Sequence, residues 1–298
     1  MREDQQTQLD NGERGTYQSV PFSHYLAIPD ISHSTASVAN EQSPEHAEWG
    51  RENPKAATPA MSMGSALHCL ALTPELYSEE VTVLDMASRN NNAYWSLRED
   101  EPDTIVLLAK EEEIVYGMRD SIMGRPHIAA LFSQPPEDRE LTILWELEIP
   151  GDDPLKCKSR LDLPLFSTSC ICDLKTCEDA SPNGFDRKVR YGSYGTQAAF
   201  YNQAAWAAGH TPQSFVFLAI ERKPPYGCML HEVSQAMLAK RWGEMETTLR
   251  LLAANRTHVS WPGYPAEPNL IDVKPWELRD ADQADANLPG PVGEGEDL

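Results

Sequence analysis

Apolar and polar residues alternate in the middle of the chain, where the pattern predicts β-strands. Residues 140–150 (ELTILWELEIP), 155–166 (LKCKSRLDLPLF) and 169–176 (SCICDLKT) place apolar side chains at every second position, which is the period of a half-buried strand. Two more apolar runs, 214–221 and 227–234, flank the short segment RKPPY and predict a hairpin. The middle of the chain is therefore expected to supply the strands of a sheet.

Helical periodicity precedes and follows these strands. Apolar residues recur there at intervals of three and four, as they do on one face of a helix. The segments predicted to be helical are 60–72, 103–132, 181–192, 195–209 and 235–254. Helices, three strands, helices, two strands and a final helix, in that order, predict one α/β domain in which a mixed β-sheet is flanked by helices.

The two ends of the chain lack this periodicity. Residues 1–20 and 279–298 are polar and predict disordered tails, the second of them acidic, around a single domain over residues 21–278. The sequence contains no run of about 18 apolar residues, so we expect no membrane-spanning helix. The polar first residues contain no apolar core of a secretory signal, and we therefore expect a cytoplasmic protein.

Charge narrows the functional classes. The 298 residues carry 46 acidic and 25 basic side chains, a net charge of −21. A general polyanion-binding protein has a basic face instead, so any nucleic-acid surface must be local and assisted by divalent cations. The six cysteines form no CxxC pair. We predict reduced structural thiols, with an iron–sulfur or zinc cluster at 157–177 as the less favoured alternative.

Three charged residues of the central strands form the strongest candidate site. Asp173 and Lys175 share one face of their strand because they are two residues apart. A turn at 167–169 would pair that strand with the preceding one and bring Asp162 beside Asp173. Two converging carboxylates repel each other unless a cation lies between them, and oxygen ligands suit Mg²⁺. The alternative is a surface hairpin with ordinary ion pairs.

The same residues carry a family resemblance. RLD at 160–162 and ICDLKT at 171–176 resemble the Asp…Asp/Glu-x-Lys core of the PD-(D/E)XK nuclease superfamily. The segments similar to RecE-type (exonuclease VIII-like) phage and prophage exodeoxyribonucleases are YLAIPDISHSTAS, MSMGSALHCLALTPELY, DLKTCEDASPNGFDRKVRYGSYGTQAAFY and FVFLAIERKPPYGCMLHEVS. The resemblance spans roughly residues 21–278 and implies a restriction-endonuclease-like core.

The resemblance also implies roles for individual residues. Asp162 and Asp173 would be metal ligands, and Lys175 would be the catalytic lysine. His68, in GSALHCL, matches a helix histidine near the metal of the family. For a histidine taken alone, a satisfied structural position is the usual alternative. The family uses Mg²⁺ or Mn²⁺, and we expect two ions in each active site.

A glutamate on the strand before the hairpin would complete the catalytic and metal-binding set. Glu146, in LWELEIP, matches the family glutamate. Glu148 is its neighbour on the same face of the strand and competes for the role. The sequence does not separate the two.

The resemblance and the local charge predict a DNA-binding set. Its members are Arg160, Lys158, Tyr194, Gln197, Lys188, Arg190, Ser32 and Ser34. Each has a structural alternative: solvated helix charges for Lys188 and Arg190, and helix capping for the two serines. Many relatives carry a histidine directly after the tyrosine, where this chain has Gly195.

The function implied by the resemblance is degradation of linear double-stranded DNA from its ends, 5′ to 3′. The remaining 3′ strand would pass to a single-strand annealing recombinase, and the chain would form a homo-oligomer, a tetrameric ring in the family. One alternative is a RecB- or Cas4-like nuclease that prefers single strands. Another is a non-catalytic derivative that binds DNA or a protein, against which the intact Asp162, Asp173 and Lys175 argue.

Overall fold

The computed structural model describes residues 3–273 except residue 55. Its strands are β1 (Gly15–Tyr17), β2 (Val81–Leu84), β3 (Ile105–Leu108), β4 (Leu141–Leu147), β5 (Leu155–Leu161), β6 (Leu163–Leu165), β7 (Cys170–Cys177), β8 (Ser214–Glu221) and β9 (Cys228–Val233). Its helices are α1 (Glu3–Asp10), α2 (Phe22–Ala27), α3 (His33–Glu41), α4 (Pro44–Glu52), α5 (Pro59–Leu72), α6 (Tyr77–Glu80), α7 (Asn92–Asp100), α8 (Ala109–Met123), α9 (Pro126–Ala129), α10 (Pro182–Tyr191), α11 (Tyr194–Ala207) and α12 (Gln235–His258). This mixture of strands and flanking helices confirms the predicted α/β class.

Hydrogen bonding divides the strands into three sheets, in the orders β1-β4-β5, β2-β3 and β6-β7-β8-β9. The last of these is mixed, because β7 is antiparallel to β6 and parallel to β8, while β8 and β9 form the predicted antiparallel hairpin. The β6–β7 register places Leu163 opposite Cys172. Continuing that register by one residue sets Asp162 opposite Asp173, as the sequence predicted.

One predicted helix divides into several elements. Residues 103–132 contain β3, α8 and α9 rather than one helix. Four successive apolar residues, Ile105–Leu108, begin the segment, and three of them are buried. A run that is apolar on both faces suits a short buried strand, which explains the difference. Helix α8 ends at Met123, shortly before Pro126, and the residue preceding a proline is disfavoured in the helical conformation.

The first twenty residues differ from the prediction of a disordered tail over 1–20. Within the described part, α1 and β1 are ordered, and β1 pairs antiparallel with the outer edge of β4. Leu9, Tyr17 and Val20 are buried and form a small apolar cluster with Leu144. Arg14 adds an ion pair 2.6 Å from Asp30. These four buried apolar side chains anchor the segment to the rest of the domain. Because β1 is only three residues long, it shows no periodic pattern from which a strand could be predicted.

The core of the molecule lies on both sides of β7 and β8. Phe185, Phe200 and Phe217 belong to one buried cluster, and Leu174 and Ile220 belong to another. The chain divides into two compact units, with the boundary after Gly263. The acidic tail predicted over residues 279–298 lies outside the described residues. Within residues 3–273, residue 55 excepted, no helix combines the length and the apolar character needed to cross a membrane.

Candidate active site

The two aspartates meet where β5 gives way to β6 and where β7 passes beside it. Asp162 sits between those two strands and is 7% exposed, and its Oδ2 accepts a hydrogen bond of 2.8 Å from the Leu174 backbone N–H. Asp173, in the middle of β7, is 1% exposed. Its Oδ1 is buried without a hydrogen-bond partner. Burying a carboxylate oxygen without a hydrogen bond costs free energy. Such an atom indicates a binding or catalytic position rather than a purely structural one.

Lys175 lies two residues along the same face of β7 and forms an ion pair with Asp173 Oδ2. Burial raises the pKa of Asp173 to about 6; Lys175 opposes that rise and Asp162 adds to it. Burial alone would lower the pKa of Lys175, but the charges of Asp173 and Asp162 outweigh it and raise the pKa. The ammonium is therefore charged at neutral pH and is held where the carboxylates converge.

His68 projects from α5 toward the same point. Its Nε2 lies 2.9 Å from the Leu174 carbonyl oxygen, and because a carbonyl can only accept, Nε2 carries the hydrogen. In the neutral ring Nδ1 then presents a lone pair. That Nδ1 lies 3.6 Å from Asp162 Oδ1. The separation is long for a hydrogen bond and suits two ligands of one cation, whose bonds to Mg²⁺ measure about 2.1 Å.

The side chains of Asp162, Asp173 and His68 carry oxygen and nitrogen atoms that can bind a metal ion. Across the part of the chain that the structure describes, no group of three or more His, Cys, Asp or Glu side chains is already spaced to hold one. The pairwise geometry nevertheless fits: one orphaned carboxylate oxygen on Asp173, a carboxylate on Asp162 and a free imidazole nitrogen on His68. The six cysteines form no disulfide bonds with one another, and four of them are buried.

Glu146 does not reach this point. It lies near the far end of β4, exposed and opposite Lys156 in the β4–β5 register, with its Oε1 3.9 Å from Arg14 Nε. In that antiparallel pair the start of β4 adjoins the end of β5, where Asp162 follows. Five residues of strand separate Glu146 from that end, roughly 16 Å at about 3.3 Å per residue. Glu148 is also exposed, one residue beyond β4.

Glu140, directly before β4, is the glutamate that lies at the site. Its backbone N–H donates to the Asp162 carbonyl oxygen at 2.9 Å. Its backbone φ of 48° is in the left-handed region, which costs a non-glycine residue about 1 kcal/mol or more and recurs at functional sites. The strand order itself could have predicted Glu140. Because β4 pairs antiparallel with β5, the residue directly before β4 lies beside Asp162, which directly follows β5.

Lys158 is buried against the amino-terminal segment. Its ammonium donates to the carbonyl oxygens of Tyr25, Leu26 and Ile28 at 2.8, 3.1 and 2.7 Å. An ammonium has three donors, and all three are satisfied. These carbonyls close the carboxyl end of α2, where a cation is favourable. The geometry supports a structural role for Lys158 in place of the predicted contact with DNA.

Arg160 has a similar position one pleat further along β5. Its Nη1 donates to the Val20 carbonyl oxygen at 2.6 Å, and its Nη2 donates to Glu140 Oε2 at 2.7 Å. The guanidinium also lies 5.7 Å from the centre of the Phe22 ring. The Nε atom is buried and has no hydrogen-bond partner. Two of the five N–H donors of Arg160 are thus bonded within the chain, and its contact with DNA stays a prediction.

Side chains of α11 and α3 form the opposite wall. Lys175 Nζ lies 5.7 Å from the centre of the Tyr194 ring. Gln197 Nε2 donates to the Tyr201 hydroxyl at 3.0 Å. His33, which the sequence analysis passed over between its two neighbouring serines, is buried with Nε2 3.1 Å from Thr196 Oγ1. Burial, and secondarily Lys175, lowers the pKa of His33 to about 3, so the ring is neutral.

The remaining predicted DNA contacts divide between the pocket and the surface. Ser32 caps α3 by accepting from the Thr35 N–H at 3.3 Å, and its Oγ lies 2.9 Å from Ser34 Oγ. Capping is therefore observed, while phosphate binding by the two serines stays a prediction. Lys188 is half-buried on α10. Arg190 on the same helix is exposed and donates to Asp186, four residues before it. Neither Lys188 nor Arg190 lines the cavity that contains Asp162 and Asp173.

Gly195 explains the departure from the family pattern. A Cβ atom at this position would lie 2.4 Å from the Val189 carbonyl oxygen, which is closer than real side chains come. The packing of α10 on α11 therefore leaves no room for a histidine here. Gly64 differs, since a Cβ there would make only an ordinary contact of 3.5 Å with Thr176 Oγ1.

These residues enclose a cavity of about 310 Å³, named the catalytic pocket here. The residues that define it are Ser32, His33, Ser34, His68, Asp162, Asp173, Lys175, Gln197 and Tyr201, together with Phe22, Tyr25, Leu26, Glu140, Lys158 and Arg160. A larger depression of about 560 Å³ lies beside β6, and among its described lining residues only Asp138 is ionisable. The ionisable side chains thus gather in the catalytic pocket, which makes it the candidate site for acid–base and metal chemistry.

Comparisons with known proteins agree with this geometry. The family model described as "PDDEXK-like domain of unknown function (DUF3799)" matches residues 32–273. No curated protein matches the chain. A crystal structure from Eubacterium rectale, described as a "putative exonuclease", has 16% sequence identity and a TM-score of 0.53, over 85% of this chain and 92% of that one. This likeness concerns the fold alone, and the family model confirms the predicted PD-(D/E)XK core.

A second solved structure, described as SSO0001, is 15% identical and is matched over 63% of this chain and 86% of that one. Its TM-score of 0.29 is too low to support an inference.

Proposed function

On the premise that this chain belongs to the PDDEXK-like family whose model it matches, we propose that it is a divalent-metal-dependent DNA exonuclease. The proposed reaction is the hydrolysis of phosphodiester bonds at linear double-stranded ends. One observation carries the proposal: the Asp173 carboxylate is buried beside Asp162, and its Oδ1 has no hydrogen-bond partner. A carboxylate in this environment gains most from a cation that binds both acids.

The proposed ligands are Asp162, Asp173 and the Nδ1 atom of His68. A divalent cation bound there would supply Lewis-acid stabilisation of charge on the phosphoryl group. The Leu174 N–H and carbonyl hold Asp162 and His68 in place, so the ligands are oriented before a cation arrives. Such pre-orientation keeps the reorganisation cost of the reaction low.

Lys175 acts in this proposal as a charged donor. Its side chain is 16% exposed and lines the catalytic pocket, which leaves the ammonium accessible to a phosphate oxygen or to the attacking water. The ion pair with Asp173 holds the ammonium at this position. Lys175 is thus suited to orient water and to stabilise developing negative charge, rather than to remove a proton.

The finer features of the proposal rest on the motif resemblance to RecE-type enzymes, with which the description of the E. rectale protein is consistent. They are 5′ to 3′ polarity, a 3′ single strand passed to an annealing recombinase, two Mg²⁺ or Mn²⁺ ions, and a ring-shaped homo-oligomer. Lys158 and Arg160 lend the ring no support, because their charged groups bind carbonyls of their own chain. Ring assembly is therefore proposed from resemblance alone.

The test is digestion of linear duplex DNA, labelled at either the 5′ or the 3′ end, with and without Mg²⁺. Wild type is compared with Lys175→Ala and with Lys156→Ala, a matched control at an exposed lysine of β5. We expect metal-dependent release of nucleotides, 5′ label first, that is abolished in Lys175→Ala and retained in Lys156→Ala.

Other outcomes separate the alternatives. Faster digestion of single strands than of duplex ends would favour the RecB- or Cas4-like class. A folded wild-type protein that releases nothing from either substrate would contradict the proposed activity and favour a DNA- or protein-binding derivative of the fold.

A further inference from the structure

A second, smaller cavity adjoins the catalytic pocket. Its volume is about 150 Å³, and it is named the side cavity here. Phe22, His68, Glu140 and Arg160 line both cavities. These four side chains border both cavities, so the two cavities are neighbours. A substrate group next to a phosphate in the catalytic pocket is therefore the candidate occupant of the side cavity.

The size of the side cavity limits what it can hold. An engineered protein cavity of about 150 Å³ binds benzene, a single six-membered ring. The side cavity has that volume, so it matches one aromatic ring and is small for two fused rings. In DNA the groups attached one sugar away from a phosphate are the bases, and a pyrimidine base is a single six-membered ring.

The apolar part of the wall suits a flat ring. Phe22 is 49% exposed although it is a large apolar side chain, and the Arg160 guanidinium lies 5.7 Å from the centre of its ring. Aromatic and guanidinium faces are the surfaces on which bases stack in single-strand-binding proteins. Ile105 adds an apolar contact from β3.

The polar part of the wall can bind the edge of a base. Glu80, at the end of α6, and Ser65, exposed on α5, line the side cavity. A carboxylate accepts from the amino group of cytosine, and the hydroxyl of Ser65 can donate to a pyrimidine carbonyl. The cavity wall thus offers an acceptor and a donor.

We propose that the side cavity binds a pyrimidine base of the nucleotide adjoining the scissile phosphate, stacked on Phe22 and bonded to Glu80. This subsite rests on the proposed nuclease function and adds a specificity that the function does not require. It makes hydrolysis faster where that nucleotide carries a pyrimidine than where it carries a purine.

Three variants test the subsite. Ser65→Leu fills the side cavity from an exposed helix position, where leucine is a better helix former than serine. Glu80→Gln keeps the shape of the wall and removes its charge. Ser96→Leu makes the same change as the first variant on the exposed face of α7 and lies on neither cavity, which makes it the matched control.

The substrates are duplexes whose terminal and penultimate nucleotides carry cytosine, guanine or an abasic sugar. Single-turnover hydrolysis is measured with Mg²⁺, and binding is measured by fluorescence anisotropy with Ca²⁺ in its place. At one of the two positions, we expect the abasic sugar to slow wild type about tenfold relative to cytosine, the loss of one stacked base. Ser65→Leu should slow the cytosine substrate by the same factor, with no further loss on the abasic one. Ser96→Leu should behave as wild type.

The proposal is overturned if Ser65→Leu affects cytosine and abasic substrates equally, or if guanine is preferred at both positions. It is also overturned if Glu80→Gln weakens Mg²⁺ binding measured by calorimetry, since the side cavity would then be a cation site. Absence of hydrolysis by wild type would contradict the nuclease activity instead. The anisotropy measurements would still test the subsite, and a protein that binds none of the DNA ends would contradict both proposals.

Discussion

Two lysines, one on β5 and one on β7, have opposite environments. Lys158 on β5 is buried, and its three donors are matched by three backbone carbonyls. Lys175 on β7 is also largely buried, but its ion-pair partner Asp173 retains an oxygen without a hydrogen bond. The hydrogen bonds of Lys158 leave none of its donors and none of these three carbonyls unpaired. The ion pair of Lys175 leaves one buried carboxylate oxygen unpaired. In this molecule the incomplete set of buried charges marks the candidate chemistry, and the complete one supports the fold.

The difference follows from the cost of burying charge. A buried charge persists when hydrogen bonds replace its water, and removing its partners costs several kcal/mol. The carbonyls of residues 25–28 replace the water around Lys158. Around Asp173 the replacement is unfinished, and burial raises its pKa to about 6. A bound cation and a phosphate would finish it.

The largest effect expected from this comparison is the loss of activity in Asp162→Asn. The amide oxygen can still accept from the Leu174 N–H, so the fold is kept, while the charge that binds the cation is lost. We expect hydrolysis of duplex ends to fall about 10³-fold, measured by single-turnover kinetics. The free energy of unfolding should change by less than about 1 kcal/mol. A variant that unfolds, or one that retains full activity, would break the contrast.

The next effect is a loss of stability in Lys158→Met. Methionine has a similar length but leaves three carbonyls without their donor, and we expect the free energy of unfolding to fall by about 3 kcal/mol. Urea unfolding followed by circular dichroism measures it. Lys156→Met, at an exposed position two residues earlier, is the control and should stay within about 0.5 kcal/mol of wild type. Equal effects of the two variants would show that the bonds of Lys158 are not structural.

A pH dependence sharpens the comparison through His33. Its folded pKa of about 3 lies below the ordinary value of 6.5, so the unfolded chain binds a proton first. Its contribution to stability is complete above pH 6.5 and is lost as pH falls toward 3, by about 1.4 kcal/mol per pH unit. His33→Gln, which keeps an N–H at the Nε2 position, should reduce the slope by that amount. Urea unfolding from pH 7 to pH 4.5 measures it, and unchanged slopes would contradict the neutral buried ring.

The smallest expected effect is stabilisation by the cation itself. Magnesium at ten times its dissociation constant should raise the free energy of unfolding of wild type by about 1.4 kcal/mol, measured as a shift in thermal unfolding. Asp173→Asn should show no shift, because its amide replaces one oxygen by nitrogen and removes the negative charge that attracts the cation. A shift of equal size in both proteins would place the cation elsewhere.

The sequence predicted those parts of the site that depend on local periodicity. The period of two along residues 155–176 and a short turn were enough to place Asp162 beside Asp173. The position of Glu140 was also within reach, since antiparallel strands adjoin end to start, but the choice fell on Glu146 by similarity to the family. The engagement of Lys158 and Arg160 could not be predicted, because it depends on the packing of residues 20–28, over 130 positions earlier in the chain.

The pairing of β1 with β4 has a consequence for the order of folding. Tyr17 pairs with Thr142, and Ile31 bridges to Cys157, so a segment made early by the ribosome waits for strands made more than a hundred residues later. Contacts of such long sequence separation close slowly. Lys158 and Arg160 can therefore reach the carbonyl oxygens of residues 20–28 only after β5 has left the ribosome. Until these groups dock, both cations are hydrated by water.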